Sequence, residues 1–176
     1  MSPSPGAVVR AAAQVALGAV LLAAGTGHLT TLRREFRAQV PPWLPLDPDL
    51  VVVASGVVEL GLGAALLTAW RRPARERVGL LTAAFFVAVL PGNVAQLVEG
   101  RDAFGLDTDT RRAVRLPFQP LLVAWALAAT GGLRALRRRG PGAAGNPDAS
   151  GPSRAVPGGT GHPAGGEPTG PRRDAT

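Results

Sequence analysis

"LVVVASGVVELGLGAALLTAW", residues 50–70, decides the fold. A helix needs roughly 20 apolar residues to cross the hydrocarbon core of a bilayer, and this run supplies them with a single charge, Glu59. Three further stretches read the same way. Residues 8–29 are interrupted only by Arg10 and Gln14, residues 78–98 carry no charge, and residues 117–133 open on Pro117 and Pro120. Proline is tolerated in a first helical turn, where its missing donor would be unpaired in any case. Pro91, inside the third stretch, predicts a kink or a locally adjusted backbone. The helices of a soluble bundle would show charged outer faces, and these four do not.

The expected fold class is therefore all-α: an integral membrane four-helix bundle over residues 1–139. Its first loop is irregular and Pro-rich, with prolines at 41, 42, 45 and 48. Its C-terminal tail, residues 140–176, is expected to be disordered. There 17 of 37 residues are Gly or Pro, a composition that cannot bury enough apolar surface to offset its ordering entropy. A cleaved signal peptide is the rival reading of residues 8–29, and the three apolar runs that follow argue against it.

Composition narrows the chemistry. The chain has no cysteine and two histidines, His28 and His162. Disulfides, thiol redox chemistry, zinc–thiolate sites and three-histidine metal centres are excluded, and no metal site is expected. All 19 basic residues are arginine, and the net charge is +7. They cluster between the apolar runs, at 33–37, 71–77, 111–115 and 134–139. That pattern fits membrane-flanking loops rather than a nucleic-acid face. Nine of those flanking the spans fall on the side of the N-terminus and seven on the other, a bias that puts both termini in the cytoplasm. Trp43 and Trp70 stand where interfacial anchors are expected. "DTDT" at 107–110 is no calcium loop, because Arg111 and Arg112 occupy ligand positions. "GLG" at 61–63 has no strand before it and is no dinucleotide fingerprint.

The polar residues inside the spans share a pattern. Glu59 lies about nine residues, or roughly 14 Å at helical rise, below the start of its span. An ionised acid at that depth costs on the order of 3 kcal/mol, so it is expected to be protonated, paired or hydrated. Ser55, Gly56 and Gly63 share its face, and small residues there admit a close neighbouring helix. Gln14, Gly18, Leu21, Gly25 and His28 form one stripe on the first span. Thr82, Phe86, Val89, Asn93 and Gln96 form another on the third. Arg115 and Gln119 enter with the fourth. Each helix thus carries a polar group toward the same end: His28, Glu59 with Ser55, Asn93 with Gln96, and Gln119 with Arg115. Interhelical glue is the alternative role for the amides. The loop "EFRAQVPPWLPLDPDL", residues 35–50, is apolar enough at Trp43 and Leu44 to lie over this cluster as a lid, or in the interface as a connector.

His28, "VPPWLP" at 40–45, "SGVVELGLG" at 55–63, "LPGNVAQ" at 90–96 and "RLPFQPLLVAWAL" at 115–127, taken in order, resemble the DoxX-like family of small four-helix bacterial membrane proteins. The likeness covers about residues 10–136. It implies matching positions at His28, Glu59, Pro91, Asn93, Arg115, Pro117 and Gln119. The sequence departs from the family pattern at Gly92, where alanine is usual, and at Gln96, where an apolar residue is usual.

The resemblance implies a cytoplasmic-membrane protein linked to quinones, like the small subunits of a quinol oxidase or a thiosulfate:quinone oxidoreductase. On that reading the chain contacts a quinone and the bilayer, and takes electrons through a redox partner subunit. It has no catalytic activity alone. The alternatives are a small-solute or proton carrier that couples through Glu59, self-sufficient only as a homo-oligomer, and an assembly or scaffolding protein with no chemistry of its own.

Overall fold

A computed structural model describes residues 4–139. The tail expected over residues 140–176 lies outside them. The described residues form seven helices and no strand: α1 (Pro5–Leu29), α2 (Arg33–Arg37), α3 (Pro48–Thr68), α4 (Ala74–Val98), α5 (Asp109–Arg115), α6 (Phe118–Thr130) and α7 (Gly132–Arg139). Four segments are long and apolar enough to cross a membrane: α1, α3, α4, and α5 with α6 in succession over Asp109–Thr130. The fold is the all-α, multi-pass membrane bundle that the apolar runs require.

The helix ends follow their capping residues. Asp47 starts α3 by accepting from the Asp49 and Leu50 amides at 2.8 and 3.0 Å, and Pro48 fills the first turn, so the span begins two residues before position 50. Thr108 starts α5 by accepting from the Arg111 amide at 3.3 Å. The fourth span therefore begins at Asp109 rather than at 117, and Pro117 marks the junction between α5 and α6. It also stops earlier than 133. Gly131 takes a left-handed φ of +81° as the C-cap of α6 and turns the chain into α7. α4 starts at Ala74 rather than 78 and runs through Pro91 without a break in its assignment. The proline does leave the Val87 carbonyl without its i+4 donor.

α1 packs antiparallel on α3, and α4 on α6. Glycine makes both contacts close. A Cβ on Gly25 would lie 2.7 Å from the Gly56 carbonyl oxygen, and one on Gly63 would lie 2.9 Å from that of Gly18. On the other pair, a Cβ at Gly79 would sit 1.7 Å from Thr130 Oγ1. These are the small-residue interfaces that let membrane helices gain packing where lipid supplies no hydrophobic drive. Polar side chains pin the register: Gln14 Nε2 donates to the carbonyls of Leu66 at 2.6 Å and Ala69 at 3.1 Å. Trp125 Nε1 reaches the Ala13 carbonyl at 2.9 Å and ties α6 to α1. Leu17, Leu21, Leu66, Ala83, Phe86 and Ala126 fill the centre. Large aliphatics such as Val9, Val57, Leu81 and Leu121 face outward, 67%, 56%, 61% and 62% exposed. That inversion suits a lipid surround.

Candidate functional site

A cavity of about 400 Å³ opens where α1 ends, α3 begins, α4 ends and α6 begins. Its walls are mostly aliphatic, with Val20, Leu21, Val52, Val89 and Leu122 among them. The polar residues singled out in the sequence are brought to it from all four spans: His28, Ser55, Glu59, Asn93, Arg115 and Gln119 all line it.

His28 and Glu59 meet. The imidazole Nδ1 lies 3.0 Å from Glu59 Oε2, and the residues are 6% and 8% exposed. Gly56 allows this pairing, since a Cβ there would lie 2.7 Å from the His28 Cβ. Nδ1 also lies 2.9 Å from the Ala24 carbonyl oxygen. Both neighbours are acceptors, so the ring proton belongs on Nδ1 and a neutral His28 presents its Nε2 lone pair. The Nδ1–H direction favours Ala24, which leaves Glu59 Oε2 buried without a well-aligned donor among the described residues. Glu59 Oε2 is thus free to accept a hydrogen bond, from His28 Nδ1–H or from a ligand.

The facing wall is rich in donors. Gln119 Nε2 donates to the Phe86 carbonyl at 2.9 Å, which uses one of its two amide hydrogens and fixes its position. Asn93 is 8% exposed and its side chain makes no hydrogen bond to a described residue. Arg115 is half-buried, with its guanidinium 4.8 Å above the centre of the Phe104 ring. When the Gln39 amide presents its oxygen, that atom accepts from both Arg115 terminal nitrogens at 2.5 and 2.8 Å. Gln96 is buried just outside the cavity. It accepts from Arg115 Nη1 at 3.5 Å and donates to the Arg101 carbonyl at 3.4 Å, so it braces the loops.

The first loop covers the cavity, as the lid reading expects. Gln39, Val40, Pro41, Trp43 and Leu44 all line it, and Trp43 keeps 66% of its surface exposed. Gly92 seats this loop: a Cβ there would lie 2.8 Å from the Gln39 carbonyl oxygen. Arg101 Nη1 donates to the Val40 carbonyl at 3.0 Å. Glu35 accepts from the Phe104 amide at 2.6 Å. Phe36 stacks on His28 with ring centres 3.4 Å apart, and Phe104 meets Phe36 edge-on at 4.8 Å. Phe104 holds a left-handed φ of 56°, a conformation that costs a bulky residue about 1–3 kcal/mol and recurs at functional sites.

Sequence reasoning passed over Phe36, Gln39 and Phe104. The available signal was weak: two of the five phenylalanines fall in polar loops between spans. It also passed over Glu76, at the far end of α4, which is 5% exposed and held by Arg72 at 3.2 Å and Arg138 at 2.6 Å.

No curated protein and no solved structure matches the chain. A family model does match, over residues 17–130, a range that runs from α1 to the end of α6 and takes in every cavity residue named above. The chain belongs to the family described as Domain of unknown function (DUF8561).

Proposed function

We propose that this is a DoxX-like protein of the bacterial cytoplasmic membrane, both termini cytoplasmic, whose cavity holds a quinone for a membrane redox system. The observation that carries the reading is the cavity itself: about 400 Å³ of apolar wall closing on acceptors from one helix pair and donors from the other. Ligand sites of this size, mostly apolar with a few convergent polar groups, suit a flat ring with oxygens on opposite edges.

A bound quinone would supply a carrier of two electrons and two protons. The residues supply the rest. Arg115 and the amides of Asn93 and Gln119 donate to an accepting oxygen on one edge. On the other edge, His28 Nε2 accepts a proton from a hydroxyl, and the Glu59 carboxylate 3.0 Å from Nδ1 balances the imidazolium that results. Glu59 can pass that proton on. The aliphatic walls and the loop over residues 39–44 exclude water. Without thiolates the chain has no ligands for a cluster, so a redox partner subunit delivers or removes the electrons.

The test is lipid extraction and mass spectrometry of the full chain purified in mild detergent. Wild type is expected to carry quinone near one per chain. Glu59→Gln and His28→Ala are each expected to carry about tenfold less, the equivalent of ~1.4 kcal/mol. A folded wild-type protein that carries none overturns the reading.

A further inference from the structure

At the end of the bundle opposite the cavity, we propose a binding site for the phosphate of an anionic phospholipid headgroup, formed by Arg10, Arg72, Arg75 and Arg134. This proposal does not depend on what the cavity holds.

Charge is distributed unevenly between the two ends. Around the hinge between α3 and α4, the start of α1 and helix α7, the described side chains include Arg10, Arg71, Arg72, Arg75, Arg77, Arg134, Arg137 and Arg138, with Glu76 as the one acid among them. Glu76 is already engaged, by Arg72 and Arg138. One carboxylate leaves most of the positive charge of eight arginines unanswered.

Arg75 is the fixed inner member. It sits in the first turn of α4, half-buried, and its Nη2 donates to the Ala129 carbonyl at 2.5 Å. Its Nε is buried without an acceptor among the described residues. Arg10 in the second turn of α1, Arg72 in the hinge and Arg134 in the first turn of α7 stand at the same end of the bundle, and Arg72 Nη2 lies 4.0 Å from where a Cβ on Gly131, just before α7, would be. Like charges gathered from separate elements need a counter-anion. A phosphodiester meets that need, because its two unesterified oxygens accept from several guanidinium forks at once.

The surroundings point to a lipid as the source of the phosphate. Val8 and Val9 of α1 are 51% and 67% exposed, Leu133 and Leu136 of α7 are both 45% exposed, and Trp70 is 46% exposed. These apolar groups border the arginines where acyl chains would begin. Basic clusters beside membrane helices attract anionic headgroups at about fivefold in affinity per arginine.

The experiment uses the full chain, delipidated in uncharged detergent. It is titrated with phosphatidylglycerol, with phosphatidylcholine of the same acyl chains, and with inorganic phosphate, and the adducts are counted by native mass spectrometry. Phosphatidylglycerol is expected to bind at least about tenfold more tightly than phosphatidylcholine. The double variant Arg10→Gln/Arg134→Gln is expected to lose about 25-fold, twice the effect of one arginine on a logarithmic scale. Neither side chain makes a hydrogen bond to a described residue, and Arg134→Gln alone, at an exposed position, serves as the milder second variant. Arg34→Gln/Arg37→Gln, at the cavity end, is expected to change nothing. Equal binding of the two lipids overturns the proposal, as does equal loss in both double variants, which means diffuse charge only. Full displacement of the lipid by millimolar phosphate also overturns it, in favour of a free-anion site.

Discussion

The two ends of this bundle are closed by different means. At the cavity end, seven arginines meet seven carboxylates in the loops and flanking helices, and the ion pairs are mostly specific. Arg112 is 7% exposed in its side chain and holds Asp102 at 2.7 Å and Asp109 at 2.8 Å. Arg33 holds Asp49, with Nε to Oδ1 at 2.7 Å. At the other end the α3–α4 hinge, the start of α1 and helix α7 carry eight described arginines around Glu76. Neutral, interlocked loops can stand over an apolar hole, because their charges sum to zero and four of the seven arginines hold a carboxylate directly. An excess of one charge does the opposite and makes that end a surface for anions. The same four helices thus present a site at one end and an electrostatic face at the other.

The sharpest way to break this comparison is to attack the helix contact beneath each end. Gly79→Leu at the arginine end places a Cβ 1.7 Å from Thr130 Oγ1. It is expected to abolish the folded, monodisperse species on size-exclusion chromatography. Gly56→Ala at the cavity end is milder, because the atom it meets is the His28 Cβ at 2.7 Å. Overpacking of this kind costs about 1–3 kcal/mol, and the variant is expected to fold with a lower unfolding temperature and a displaced His28.

A second pair of substitutions tests the division of labour between the two buried acids. Glu76→Gln removes the one carboxylate among the arginines, and is expected to lower the unfolding temperature more than Glu59→Gln does. Glu59→Gln keeps the shape of the side chain and its approach to His28, so its expected effect is on ligand retention. If thermal unfolding ranks the two in the opposite order, the ends do not differ as described.

Smaller effects sharpen the account of the lid. Trp125→Phe removes the hydrogen bond to the Ala13 carbonyl, which lies away from the loops. It is expected to cost about 1 kcal/mol, read by thermal unfolding, with the cavity unchanged. Gln39→Ala removes the contact between the first loop and Arg115. It is expected to leave stability within about 0.5 kcal/mol of wild type, while raising quenching of the exposed Trp43 by iodide. Unchanged quenching means Gln39 does not hold the loop.

Much of the fold was legible because its signals are local. Apolar length marks a span wherever it occurs, and the 4-3-4-3 spacing of Gln14, Gly18, Leu21, Gly25 and His28 puts them on one side of any helix. All five are buried. The same logic found Glu59, Asn93, Arg115 and Gln119, since polar groups in apolar helices have few places to go. It overshot where ends depend on caps: Thr108 starts the fourth span earlier than its hydropathy suggests, and Gly131 stops it sooner. Gln96 was placed on the right face of α4, yet it braces the loops behind the cavity.

By itself, then, the sequence determined the helical class, the four spans, the buried faces and the shortlist of polar residues, because hydrophobicity and helical period act over a few residues at a time. Only the tertiary structure decided which of those residues touch. The pairing of His28 with Glu59 depends on the backbone approach that Gly25 and Gly56 permit, and the ring of Phe36 reaches His28 from a loop with no periodicity to read. Phe104, Gln39 and Gly92 close the cavity through contacts between segments more than 50 residues apart in the chain, such as the Phe104 amide to Glu35. Such contacts are fixed by the packing of whole helices, which no local pattern encodes.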